Sequence, residues 1–184
     1  MKYFRKLEGE RVYLSPMNPD DAEIYTKWMN DPEVSGYLGN YWAMVSLPVE
    51  REFLANAAKG NGSHIYGIVL RDGDRLIGNI GLKDIHPTYR TATLGIFIGE
   101  AEDRSKGYGA EAIRLLADYG FRWLGLRNID LHVNSNNPRA IRCYEKAGFR
   151  EYGRRHGAVY ADGRFIDDVA MELTAAEWLP QTRT

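Results

Sequence analysis

The chain holds a single cysteine, Cys143, among 184 residues. No intramolecular disulfide can form, and no thiolate cluster exists for zinc or an iron–sulfur centre. The four histidines, His64, His86, His132 and His156, do not pair at metal-ligand spacing, so no metal is expected. Long apolar runs are missing too. The longest fall far short of the roughly 20 residues that span a bilayer, and no membrane partner is expected. An excess of basic charge is also absent: 24 Lys and Arg stand against 25 Asp and Glu, a net of −1. That balance argues against nucleic acid, whose recognition needs a basic footprint, but it leaves room for an acidic small ligand in a local basic pocket. The N-terminal Met1-Lys2-Tyr3-Phe4-Arg5-Lys6 is charged and lacks the apolar segment of a signal peptide. These absences imply a reduced, cytoplasmic setting.

What is present is the composition of a globular domain, 44% hydrophobic and 27% charged, long enough for a core without staples. No repeat or linker divides it, so one domain over 1–184 is expected. Arg11-Val12-Tyr13-Leu14 reads as a strand. Asn18-Pro19-Asp20-Asp21 opens a helix, with Asn18 as cap and Pro19 in the first turn, and Pro32 ends it. Ser35 to Leu47 has no clean period and reads as a loop, with room for a short helix. Val49 to Lys59 reads as a helix stopped by Gly60-Asn61-Gly62. A meander follows: strands over His64 to Leu70, Arg75 to Ile85 and Ala92 to Gly99, with Asp72-Gly73 as a hairpin signal. Gly107 to Leu124 is a long amphipathic helix, Ile129 to Val133 a short buried strand, and Pro138 to Ala147 a helix stopped at Gly148. Phe149 to Met171 returns as a hairpin turning at Ala161-Asp162-Gly163-Arg164, and Thr174-Ala175-Ala176-Glu177 is a capping box. The order gives a mixed α/β (α+β) fold, not an all-parallel doubly wound sheet.

Chemistry concentrates in two segments. In the first, a strand through Ile96-Phe97-Ile98-Gly99 runs into Arg104-Ser105-Lys106-Gly107-Tyr108-Gly109-Ala110 and then a long helix. Glycines let backbone N–H groups approach a ligand, the helix start adds about half a positive charge, and Arg104 and Lys106 can add full ones. This describes a phosphate cradle, or else a glycine-rich helix start without a ligand. The lysine-bearing P-loop pattern fails, because no Lys-Ser/Thr pair follows the second glycine. Gly107, Gly109 and Ala112 formally meet a dinucleotide fingerprint, with Asp130 about twenty residues on. In the second segment, Asn134-Ser135-Asn136-Asn137-Pro138-Arg139-Ala140-Ile141-Arg142-Cys143-Tyr144-Glu145-Lys146-Ala147-Gly148-Phe149, Asn137 caps a helix and shares a face with Tyr144 two turns on.

With both segments in this order, the chain resembles the GNAT superfamily of acetyl-CoA-dependent N-acetyltransferases from about Arg11 to Leu173. Ala117-Asp118-Tyr119-Gly120-Phe121 and the run from Asp162 to Met171 resemble the branch holding ribosomal-protein N-terminal and spermidine/spermine acetyltransferases. The resemblance implies a GNAT-type acyltransferase fold: a mixed, largely antiparallel sheet, splayed at the cofactor site and flanked by helices. It implies acetyl-CoA as donor, pantetheine pairing with backbone groups of Phe97, Ile98 and Gly99, and pyrophosphate held by backbone N–H groups of Arg104, Ser105, Lys106, Gly107, Tyr108, Gly109 and Ala110. It gives Asn137 a hydrogen bond to pantetheine, Arg139 an approach to the phosphates, and Tyr144 the part of general acid to the leaving thiolate. A phenol, with a reference pKa of about 10, stays protonated for that task.

The base is where the sequence departs from its relatives. Ala92-Thr93-Leu94-Gly95-Ile96 has Thr93 where many carry Glu; Asp84, His86 and bulk water remain as alternatives. Cys143 points about 100° away from Tyr144 and reads as a core thiol. Tyr37, Tyr41 and Trp42 could line an acceptor groove, and Glu33, Asp84 and Glu100 could attract a cation. The acceptor is an amine: a protein N-terminus, a polyamine, an amino acid or an aminoglycoside. A CoA-binding sensor without turnover and a nicotinamide enzyme are the alternatives from other classes. The C-terminal hairpin also offers an edge for a homodimer.

Overall fold

The computed structural model describes residues 2–39, 43–60, 64–161 and 163–181. Eight strands form one sheet in the order β1-β2-β3-β4-β5-β6-β8-β7. They are β1 (Leu7–Glu8), β2 (Val12–Pro16), β3 (His64–Leu70), β4 (Arg75–His86), β5 (Thr91–Ile98), β6 (Asn128–Asn134), β7 (Arg150–Ala161) and β8 (Arg164–Thr174). The helices are α1 (Ala22–Met29), α2 (Pro32–Ser35), α3 (Leu47–Ala58), α4 (Tyr108–Arg122), α5 (Pro138–Lys146) and α6 (Ala175–Gln181). Every neighbouring pair is antiparallel except β5 and β6, which run parallel across the α4 crossover.

The elements form for local reasons. Asn18 accepts a hydrogen bond from the Asp20 amide and opens a 3-10 turn over Pro19–Asp21 that leads into α1. Pro32 does more than end α1. It is the first residue of α2, whose cap Asp31 accepts from the Glu33 amide at 2.9 Å; a proline that forbids one helix is preorganised to start the next. Gly148, at φ 101°, closes α5. Thr174 and Glu177 bond each other reciprocally, completing the capping box of α6.

Two apolar layers pack on the sheet. One face carries α4, α5 and α6 over Ile80, Leu82, Leu94, Ile129, Leu131, Val169 and Met171, closed by Ile113 and Leu116. The other carries α1 and α3 over β2, β3 and Phe97, with Tyr25, Trp28 and Leu54 buried there. Each such fully buried aliphatic side chain contributes about 1.5–3 kcal/mol. Along β5 the two faces alternate: Leu94, Ile96 and Ile98 point to α4, and Phe97 to α1. Trp28 locks the far end of β5. A Cβ on Gly99 would overlap its indole, whose N–H bonds Glu100 at 3.0 Å.

Candidate active site

β5 and β6 pair only through Thr91, Ala92 and Thr93, opposite Asn128, Ile129 and Asp130. Beyond that the strands part, because β6 stays with β8 to Asn134 while β5 stays with β4 to Ile98. The direction of the exposed backbone follows from register. The Gly99 amide donates to the Ile77 carbonyl at 2.9 Å, so Gly99 and, by alternation, Phe97 turn their main-chain groups to β4. Leu94, Ile96 and Ile98 face the gap. Of the three backbone positions expected to meet a ligand arm, only Ile98 presents its N–H to the opening. Ile96, unnamed in that set, presents both groups.

A cavity of about 780 Å³ occupies the gap. β5 forms its floor, the 103–110 segment and α5 its walls, and Glu33, Val34, Tyr37 and Leu38 its roof on the α1 side. Gly99 and Lys106 are not among the lining residues. Tyr41 and Trp42 lie outside the described residues.

The loop before α4 is shaped for an anion by its backbone. Gly107 caps the helix at φ 87° and Ser105 sits at φ 64°, both left-handed. The first intrahelical bond is Glu111 N–H to Gly107 C=O at 3.1 Å, so the amides of Tyr108, Gly109 and Ala110 have no carbonyl within the helix. Arg104 behaves otherwise than its charge suggests. Its own N–H bonds Ala101, and its guanidinium folds back onto the carbonyls of Ile98 at 3.2 Å and Gly99 at 2.6 Å and onto Glu33 at 3.2 Å. Only 9% of that side chain is exposed, so Arg104 braces the strand end and offers no free charge to the loop. Glu111 anchors the helix start from behind, accepting from the amides of Arg11 and Val12 and from the Arg11 guanidinium. Burial alone would raise its carboxyl, but those donors overrule burial and hold it below the usual range.

On α5, Asn137 divides its amide. Oδ1 caps the helix by accepting from Ala140 N–H at 3.1 Å, which leaves the Nδ2 donors toward the cavity. Tyr144 lines the same cavity but is 8% exposed, and burial, with a smaller push from Cys143, lifts its phenol well above the ordinary value. Cys143 packs toward α4, its sulfur 3.5 Å from where a Gly109 Cβ would stand. Burial raises its thiol as well, which leaves it a poor nucleophile. Arg139 is exposed at the cavity rim.

The candidate bases separate. Asp84 sits at φ 53° in a β-bulge and lines the cavity. His86 is not among the lining residues; it stacks on Tyr89 at 4.2 Å and accepts from the Tyr89 amide. Glu100 is tied to Lys27 and Trp28 and is likewise not among the lining residues. Of the carboxylates expected to attract a cation, Glu33 and Asp84 line the cavity. His132, which no motif singled out, also lines the cavity. Its signal in the sequence was only the alternation of β6, which turns His132 away from the core side of Leu131 and Val133.

The sequence profile of the acetyltransferase (GNAT) domain family matches residues 11–150. The chain belongs to the GNAT acetyltransferase family. A spermidine N(1)-acetyltransferase of Vibrio cholerae is 34% identical over 178 residues, covering 95% of this chain and 94% of that protein. The Escherichia coli K12 spermidine N(1)-acetyltransferase is 30% identical, covering 98% and 89%. The crystal structure of the spermidine N-acetyltransferase from Vibrio cholerae in complex with CoA and spermine superposes with a TM-score of 0.83 at 25% identity, covering 93% of this chain and 99% of that one. These relatives support the superfamily and not specifically its ribosomal-protein branch.

GNAT membership sets aside the dinucleotide reading and makes the protein an N-acetyltransferase with acetyl-CoA as donor. The cavity fits that donor: an unpaired strand edge for an amide-bearing arm, open amides at a helix start for pyrophosphate, and a glycine at 109 that leaves the wall bare. Among the described residues, no helix is long and apolar enough to cross a membrane, and no group of His, Cys, Asp and Glu is arranged for a metal.

Proposed function

We propose that the protein transfers acetyl from acetyl-CoA to a primary amine of a small polycation of the polyamine class, by direct attack in a ternary complex in the cytoplasm. One observation carries the reading. A single cavity passes through the β5–β6 gap, lined by Tyr144 from α5, by Asp84 from the bulge of β4 and by Glu33 of α2, which is 71% exposed beside its partner Arg104. Carboxylates in that lining favour an acceptor with several ammonium groups over the lone charge of a protein N-terminus. The spermidine acetyltransferases among the relatives support the same class.

The donor supplies an activated thioester carbonyl. The Ile96 main chain holds the arm by strand-like bonds, and the Ile98 N–H is the donor offered to the developing oxyanion. The amides of Ser105, Lys106, Gly107, Tyr108, Gly109 and Ala110 receive pyrophosphate, Asn137 Nδ2 donates to the arm, and Arg139 meets the phosphates at the rim. Tyr144, kept neutral by burial, donates to the sulfur as the C–S bond breaks. The same burial makes a bare thiolate costly, which favours a donor at that point. The test is CoA-thiol release with mass spectrometry of products against spermidine, spermine, N-terminal peptides and an aminoglycoside. Polyamines are expected to give the highest kcat/KM. Preferential acetylation of peptides would overturn the acceptor class.

A further inference from the structure

The attacking amine becomes positively charged as the C–N bond forms, and some group must take its proton. Thr93 is unsuited to this, and His86 is not among the residues lining the cavity. We propose that His132, oriented by Asp168, is the proton acceptor of the reaction; this rests on the acetyl-transfer reading above.

The geometry is specific. His132 Nδ1 lies 2.8 Å from Asp168 Oδ2, and among the described residues Asp168 makes no other side-chain hydrogen bond or ion pair. A carboxylate only accepts, so Nδ1 carries the hydrogen and Nε2 presents its lone pair. The pair bridges neighbouring strands: His132 lies opposite Ala170 on β8, and Asp168 lies two residues from it on the same face. Asp168 is 14% exposed while His132 is 54% exposed, an orienting group beneath a reachable ring. The face matters most. Leu131 and Val133 point to α4 and α5, so His132 points to the opposite side of the sheet, yet it lines the same cavity as Tyr144. The leaving-group donor and the proton acceptor thus reach the gap from its two sides, so that one can serve the nitrogen and the other the sulfur of a tetrahedral intermediate. Imidazole, with a reference pKa of about 6.5, suits proton acceptance near neutral pH better than a carboxylate of about 4. On the face of His132 stand Asp168 and Glu172 of β8, with Arg155 opposite Asp168 on β7, and Asp130 on its own strand; Lys83 and Asp84 of β4 line the same cavity.

The step balances. A neutral amine forms the C–N bond, its proton passes to His132 Nε2, the C–S bond breaks, and the sulfur takes the Tyr144 proton. Solvent then removes the proton from His132 and restores that of Tyr144.

Two measurements decide. Long-range ¹H–¹⁵N NMR of the wild-type imidazoles should show His132 as the Nδ1–H tautomer, and Asp168→Asn should abolish that preference; a wild-type Nε2–H tautomer would overturn the pair. On the best acceptor found for the wild type, His132→Gln should lower kcat about 100-fold and erase the acid limb of the pH profile, with acetyl-CoA affinity unchanged by calorimetry. A His132→Gln enzyme with wild-type kcat and an intact limb would sink the proton role alone. A wild type inert toward every amine would sink the acetyl-transfer reading and this role together.

Discussion

The two sides of the β5–β6 gap are built by different means. On the α4 side the chemistry is carried largely by backbone: left-handed Ser105 and Gly107, open amides at a helix start, and an asparagine shared between cap and cavity. On the α1 side it is carried by side chains brought from distant parts of the chain, Glu33 and Tyr37 near α2, Asp84 at a bulge of β4, and His132 from β6. Backbone geometry accepts few sequences, whereas a wall of side chains can be rebuilt one residue at a time. A shared donor with variable acceptors follows from that difference.

The contrast breaks most sharply at Tyr144, the side chain on which the backbone-built half depends. Tyr144→Phe removes a proton donor and almost no packing. It should lower kcat about 100-fold or more while acetyl-CoA affinity by calorimetry stays within a factor of two or so. Equal losses in both would make Tyr144 a packing residue.

That asymmetry also explains what could be read from the sequence. The order of elements, the Asn18 and Asn137 caps, the Gly148 stop and the Thr174–Glu177 box were legible, because each depends on residues within one turn of each other. The loop at Gly107 was legible for the same reason. Which backbone groups of β5 face the gap was not. Phe97 and Gly99 turn to β4 because of a register set by the whole strand pair, and the tight seat of Gly99 depends on Trp28, some seventy residues earlier. Arg104 looked like an anion ligand and proved a brace, since two of its partners are carbonyls, which leave no mark in sequence, and the third, Glu33, stands 71 positions away. His132 was hidden because its partner Asp168 lies 36 positions away.

Smaller effects sharpen the comparison. Gly109→Val would place its Cβ in ordinary contact with Cys143 and Ile96, so the fold should survive while the methyls enter the wall of the groove. Acetyl-CoA affinity should fall about tenfold, roughly 1.4 kcal/mol, with kcat nearly preserved at saturation; unaltered affinity would contradict the cradle. On the other side, Glu33→Gln should raise the polyamine KM about fivefold, near the upper limit of an exposed ion pair at ~1 kcal/mol. The effect should shrink in high salt and leave acetyl-CoA binding alone. A change in donor affinity instead would mean that Glu33 acts through its bond to Arg104.

The smallest effect at neutral pH concerns the anchor behind the anion loop. Glu111 is held below the ordinary carboxylate range by the donors of Arg11 and Val12, against the opposing effect of burial. A depressed native pKa contributes stability above the unfolded value of about 4.3, and that stability is lost as pH falls through the native value. Glu111→Gln keeps an oxygen that can accept from both amides but loses the charge, so at pH 7 it should unfold somewhat below the wild type. Below about pH 4.3 the wild type alone must protonate this carboxylate, and the gap between the two proteins should close as acid is added. Parallel melting curves from pH 7 to pH 3 check it. A constant gap would show that hydrogen bonding alone, and not the charge, ties α4 to β2 and sets the loop that faces the donor.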